Sequence, residues 1–143
     1  MTRTHPAEFS ATMRIYWEDT DAAGIVFYAN YLKFFERART EWLRSLGIAQ
    51  SALRESTGGM FVVSETSVRY LQPARLDDEL VVTAQLQAAG RASMVIAQQA
   101  FNNAGQLLAQ GTIRIGWVES MSLRPARIPA IVLDTLNNTN TTS

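Results

Sequence analysis

Glu18, Asp19, Thr20 and Asp21 follow one another in a single short stretch, with Ala22, Ala23 and Gly24 behind them. A carboxylate in a loop of small residues can act as a general base or as a nucleophile. Such chemistry also needs donors where negative charge develops. The sequence offers a place for them. From Asn30 onward the apolar period becomes helical, and a helix start carries unpaired N–H groups and a partial positive charge. Asp21 is therefore a candidate base or nucleophile, and the amides from Tyr28 to Asn30 are candidate donors to an oxyanion. A DxD in a loop is weak evidence by itself. Asp19 reads more simply as a loop or capping residue. Tyr16 can hydrogen-bond into the same region, although a strand tyrosine often does no more than pack.

Other chemistry is closed off by what the chain lacks. It has no cysteine, which removes thiolate catalysis, disulfides and cysteine-ligated zinc. Its one histidine, His5, sits in a polar N-terminal segment and reads as a solvated tail residue. A Ser–His–Asp triad, a His–Asp dehydratase pair and a His-rich metal site all lack their histidine. No metal and no cofactor are expected. Thirteen basic and 13 acidic residues balance, which gives no support for a nucleic-acid partner or a membrane surface. The first ten residues hold no signal-peptide core, and no run approaches the length of a membrane span, so a cytoplasmic location is expected.

The elements that must position the loop follow from periodicity. At 143 residues the chain reads as one domain, 1–136, with a polar tail at 137–143 expected to be disordered. Phe9 to Glu18 alternates as a strand, with Met13, Ile15 and Trp17 on one side. Residues 30–46 read as a helix with Asn30 as N-cap, Gly47 as its stop and an Arg37–Glu41 pair along it. Its apolar face holds Tyr31, Phe34, Phe35, Ala38, Trp42 and Leu43, broad enough to be surrounded by protein. A short helix is expected at 49–56. Four strands then follow at 60–71, 79–89, 92–101 and 106–119, the last three joined by tight turns. Residues 130–136 read as a final helical turn. One broad apolar helix and five antiparallel strands point to an α+β fold with a curved sheet around the helix.

The run EDTDAAGIVFYANYLKFFERARTEWLRSLG, Glu18 to Gly47, resembles the hotdog-fold acyl-CoA thioesterases of the 4-hydroxybenzoyl-CoA thioesterase superfamily. Within it the likeness is greatest to the branch associated with the bacterial Tol-Pal cell-envelope system, which the run VRYLQPARLDDELVV also fits. The resemblance implies a five-stranded antiparallel sheet wrapped around a long central helix, in a homodimer or homotetramer with the site at the protomer interface. It makes Asp21 the catalytic carboxylate and the backbone N–H of Tyr28 the group that polarises the thioester carbonyl. It puts Tyr16, Gly24, Ile25 and Tyr31 on the substrate side, with Arg91 and Arg75 as candidates for the coenzyme A phosphates. The Tol-Pal branch often carries histidine where Tyr28 stands, and tyrosine is nearer the aroyl-CoA branch. Beside Phe27 and Tyr31 it implies a compact pocket for short-chain acyl or aroyl groups. The expected function is hydrolysis of acyl-CoA to free acid and coenzyme A. The alternative is a module that binds acyl-CoA or acyl carrier protein in the cell-envelope system, with incidental turnover.

Overall fold

The computed structural model describes residues 8–140, so His5 and residues 141–143 lie outside the described part. Five strands form one antiparallel sheet: β1 (Phe9–Arg14), β2 (Gly59–Tyr70), β3 (Glu79–Ala89), β4 (Ser93–Phe101) and β5 (Leu107–Glu119). Their order is β1-β3-β4-β5-β2, which leaves β1 and β2 as the edges. Helix α1 (Tyr31–Ser45) lies on the inner face, followed by α2 (Gln50–Thr57), and α3 (Ala130–Asn140) closes the chain. The α+β hotdog architecture read from the sequence is the one observed.

Strict alternation makes the inner face. Leu80, Val82 and Ala84 of β3, Met94 and Ile96 of β4, and Ile113, Ile115 and Trp117 of β5 all point at the helix and are buried. Against them α1 sets Phe34, Phe35 and Ala38, all fully enclosed, and Trp42, which is 3% exposed. Each large side chain so buried contributes about 1.5–3 kcal/mol. Register shifts after Val63 in β2 and after Leu86 in β3 bend the sheet around this load. The turn between β4 and β5 is built by Asn102, whose Oδ1 accepts from Ala104 N at 3.0 Å and Gln106 N at 2.9 Å.

One polar strut crosses the apolar core. The Gln98 side chain is inside the sheet, where its Nε2 donates to Phe35 O at 2.9 Å and to Thr83 O at 3.1 Å. Its Oε1 accepts from Arg39 Nη1 at 3.0 Å. Helix, β3 and β4 are thus tied at one point, and the helix cannot slide or roll without breaking it.

Several local expectations are corrected. The first strand ends at Arg14 rather than Glu18, because residues 17–19 fold into a 3-10 turn. That turn destroys the alternation, and Trp17 is 76% exposed instead of inward. Asn30 stands at the N-cap position of α1 as expected, but without a capping side chain. A 3-10 turn over Tyr28–Asn30 leads into α1, Asn30 is already helical, and its side chain makes no cap bond. Arg37 does not pair with Glu41. It lies over the Phe34 ring at 5.9 Å, while Glu41 takes Arg44 at 2.6 Å, one residue nearer in the helix turn. The final helix runs past residue 136 to Asn140, so residues 137–140 continue a helix that Val132 and Leu136 anchor in the core.

The seat of α1 gives a stability test. A Cβ on Gly111 would stand 2.8 Å from the Ser67 carbonyl oxygen and 3.4 Å from the Phe35 ring. Gly111→Ala should therefore lower unfolding free energy by about 1–3 kcal/mol, read by urea denaturation. An unchanged midpoint would mean that the β2 backbone at Ser67 gives way to the added methyl group.

Candidate active site

The acidic loop is a small hairpin in its own right. Thr20 bridges to Val26, Asp21 N donates to Ile25 O at 2.9 Å, and Gly24 N donates to Asp21 O at 3.0 Å. Gly24 takes φ +77, a left-handed geometry that lets the chain reverse. Asp21 holds its own loop, its Oδ1 accepting from Ala23 N at 2.9 Å and from Ile25 N at 3.3 Å. The carboxylate faces solvent, and among the described residues no hydrogen bond falls on Oδ2.

The hairpin is clamped from both sides. Val26 N donates to Ala74 O and Leu76 N to Gly24 O, each at 2.9 Å, and Ile25 bridges to Arg75. The connector between β2 and β3 therefore fixes the loop. On the other side Asp19 acts as a knot. It is 5% exposed, and its Oδ2 accepts from Tyr16 N at 2.9 Å. Its carbonyl accepts from Phe27 N at 3.1 Å and from Asn30 Nδ2 at 2.8 Å. Strand end, loop and helix entry meet at this one residue. The capping-type role read for Asp19 is what the geometry displays. Tyr28 opens the 3-10 turn, so its N–H has no intrahelical carbonyl to reach.

A cavity of about 280 Å³ lies beside the helix start, lined by Ile25, Val26, Tyr28, Tyr31, Tyr70 and the chain from Leu71 to Ala74. Three tyrosines face each other across it, with Tyr28–Tyr70 ring centroids 5.8 Å apart and Tyr31–Tyr70 5.6 Å. Of the residues singled out from sequence, Ile25, Tyr28 and Tyr31 converge there, with Asp21 and Gly24 in the adjoining hairpin. Arg75 reaches the same end through its backbone, its N–H donating to Asp78 Oδ2 at 3.0 Å. The Tyr16 ring is largely exposed and does not line the cavity. Arg91 is not brought here within one chain. It sits in the turn after β3, an 11-residue strand that begins beside the acidic loop and ends roughly 35 Å away. Tyr70 was missed by sequence reasoning. Its signal was available in the second motif, where Pro73 ends the strand and leaves an aromatic at the strand's last position.

Burial shifts the ionisable groups of this region. Tyr31 is pushed up to about 12, first by desolvation and then by Tyr70 and Asp78. Desolvation, and after it Tyr28, also raises Tyr70. Deeper along α1, burial lowers Arg39, with Glu36 acting the other way. A larger concavity of about 640 Å³ lies on the outer face of the sheet, among Thr83, Gln85, Gln99, Gln110 and Arg69. One carboxylate, Glu8 just ahead of β1, lines it but no helix start does, so the smaller cavity is the chemical candidate. Among the described residues no cluster of His, Cys, Asp and Glu could hold a metal ion, and no helix is long and apolar enough to cross a membrane.

Residues 23–109 match the family model of the Thioesterase superfamily. The chain belongs to the thioesterase superfamily. The acyl-CoA thioesterase YbgC of Haemophilus influenzae is 38% identical over 121 residues, 85% of this chain and 88% of that protein. The acyl-CoA thioester hydrolase YbgC of Escherichia coli is 36% identical over 125 residues, 87% and 92% of the two chains. Among solved structures, a probable thioesterase from Bartonella henselae superposes with a TM-score of 0.80 at 28% identity, covering 86% of this chain and 100% of that one. The resemblance read from Glu18 to Gly47 is borne out. This protein is a hotdog-fold thioesterase, and its family match begins inside the acidic loop and spans the helix start and the β2–β3 connector.

The thioesterase's two aspartates should separate by stability. Asp19→Ala removes the acceptor of the part-buried Tyr16 amide and should cost about 0.5–1.5 kcal/mol. Asp21→Asn keeps an oxygen for both loop amides and should leave the urea midpoint near wild type. Equal losses for the two would contradict the assignment of Asp19 as the structural member.

Proposed function

We propose that this thioesterase hydrolyses acyl-CoA thioesters through Asp21, with the Tyr28 N–H as the donor that polarises the thioester carbonyl. The observation that carries the reading is the half-occupied carboxylate. Two loop amides hold Oδ1 in place, no described hydrogen bond falls on Oδ2, and the hairpin that carries it is tied through Asp19 to the helix entry. As a base, Asp21 takes a proton from water, and the hydroxide adds to the carbonyl carbon. As a nucleophile, Oδ2 adds to that carbon, and water later opens the resulting anhydride. In either course the oxyanion accepts from the Tyr28 amide, the C–S bond breaks, and coenzyme A leaves with a proton. The acyl group enters the tyrosine-lined cavity, whose 280 Å³ lies just below the usual range for drug-sized ligands and favours short acyl or aroyl groups.

The reading includes an assembly of at least two copies, a dimer or a dimer of dimers. β2 is an open edge of 12 residues, with Val63 and Tyr70 half-exposed beside it. Such an edge invites a second strand, and a two-fold pair is the commonest closed solution. Antiparallel pairing of β2 with its copy sets the Tyr70 end of one chain against the Gly59 end of the other. Arg91 lies at that Gly59 end of the sheet. The pairing therefore offers each cavity an arginine from its partner for the coenzyme A phosphates.

Three measurements test these statements. Asp21→Asn should lose at least about 100-fold in kcat on butyryl-CoA and benzoyl-CoA, with Asp19→Asn a near-silent control. Wild type should show a lower kcat/KM for palmitoyl-CoA than for either. A folded Asp21→Asn protein that turns over within a few-fold of wild type removes the catalytic assignment and leaves an acyl-CoA-binding or acyl-carrier-protein-binding module as the better reading. Light scattering should give at least twice the 15.9 kDa chain mass at micromolar concentration, and a monomer mass overturns the assembly.

A further inference from the structure

A buried cation without a counter-charge is strongly unfavourable. Arg39 is such a group in the single chain. It is 9% exposed, and its one described hydrogen bond runs from Nη1 to the neutral Oε1 of Gln98 at 3.0 Å. Among the described residues no carboxylate lies within ion-pair distance of it. Glu36 stands one helical turn earlier but is turned elsewhere, its Oε2 accepting from Thr40 Oγ1 at 2.8 Å. The remaining guanidinium nitrogens are not sealed in. Among the described residues the Tyr31 hydroxyl is the one enclosed side-chain polar atom without a partner, so the Arg39 nitrogens that lack one keep open surface.

That surface adjoins a cleft of about 150 Å³ between α1 and the edge strand β2, lined by Glu36, Arg39, Thr40, Leu43, Phe61 and Val63. On this side the sheet stops short of enclosing the helix. Val63 pairs with the inward Ile115 yet is 51% exposed. Leu32, Glu36 and Thr40 recur at i+4 along the adjoining stripe of α1, and Leu32 is also exposed. The patch thus holds a recessed cation, an outlying carboxylate and apolar surface around them. Such a patch is complementary to itself, because a two-fold pair sets residue i against j and j against i. Val63 stands near the middle of β2, where the axis relating two antiparallel copies of that strand passes. We propose that the cleft receives the Glu36 carboxylate of a second copy of this chain, which pairs with Arg39, while the first copy's Glu36 enters the second copy's cleft. This rests on the reading of β2 as the pairing edge. The pair supplies the counter-charge that Arg39 lacks in one chain. Through Gln98, which Arg39 orients and which holds the Phe35 carbonyl, assembly also steadies α1.

The test is a dilution series followed by fluorescence-detected sedimentation. It compares wild type, Glu36→Gln, Glu36→Lys, Arg39→Gln and the Glu36→Gln/Arg39→Gln double variant, with Glu41→Gln as control and circular dichroism as the check on folding. Glu36→Gln should raise the dissociation constant at least about 100-fold, since it breaks two symmetric pairs at once. Glu36→Lys should be weaker still, because it sets a cation against Arg39 of the second copy. The double variant should lose about as much as either single one, because each already breaks both pairs. Glu41 is held by Arg44, so Glu41→Gln should stay within about twofold of wild type. Glu36 is exposed, so its two variants decide the matter even where Arg39→Gln does not fold. If both Glu36 variants associate within a few-fold of wild type, the proposal is overturned and the β2 edge alone is the joint. A fully additive double variant shows that Glu36 meets some other group and also overturns it. A wild type that is monomeric at micromolar concentration removes the assembly reading itself, and this pairing with it.

Discussion

A helix whose aromatic face must be hidden over its whole length sets the terms for this protein. Phe34, Phe35, Ala38 and Trp42 cannot be satisfied by a flat contact with one or two strands. They need a surface that curves, and the sheet supplies it through its twist and two register shifts. Gly111 lets β5 lie against the β2 backbone at Ser67, and Gln98 pins the helix by its Phe35 carbonyl. Apolar burial gives the energy, while the single polar strut gives the position. The distinction matters because an apolar face alone tolerates sliding, whereas the hairpin tied to the helix start needs a fixed position.

The site is the consequence of that pinning. Once α1 is fixed, its entry is fixed, and the knot at Asp19 transfers the position to the acidic hairpin. The β2–β3 connector clamps the hairpin from the other side. Two chain segments far apart in sequence, residues 25–31 and 70–74, thus converge on one cavity. The two aspartates divide the work by environment. Asp19 is buried, with its Oδ2 taken by the Tyr16 amide and its backbone carbonyl by Phe27 N and Asn30 Nδ2, whereas Asp21 is solvent-facing with both of its described bonds on Oδ1. The same residue type two positions apart is enclosed in one case and solvent-facing in the other.

Arg39 shows the cost side of the same design. A guanidinium with 9% exposure whose described hydrogen bond goes to the neutral Gln98 is an expensive group. Burial accordingly lowers its proton affinity. Its value lies in orienting the Gln98 amide so that both Phe35 and Thr83 carbonyls are served.

Much of this was written into the linear order of residues. The inward set of β3, the buried face of α1, the Asn102–Gly105 turn and the family itself follow from period-two and period-3.6 patterns and from the run Glu18 to Gly47, all of which are local signals. The positions that the sequence misplaced share one feature: a 3-10 turn or a competing partner overrode the pattern. Trp17 left its strand face when residues 17–19 turned, and Asn30 gave its side chain to the Asp19 carbonyl instead of capping α1. Long-range decisions were out of reach of local patterning. Nothing in the spacing of Tyr31 and Tyr70 says that their rings meet at 5.6 Å, or that the hydroxyl of the first is left without a partner. Nor does Arg91's place beside a glycine reveal that a whole strand separates it from Asp21. Periodicity fixes which face of an element is buried, but which side chains share a cavity depends on how the curved sheet folds distant segments together.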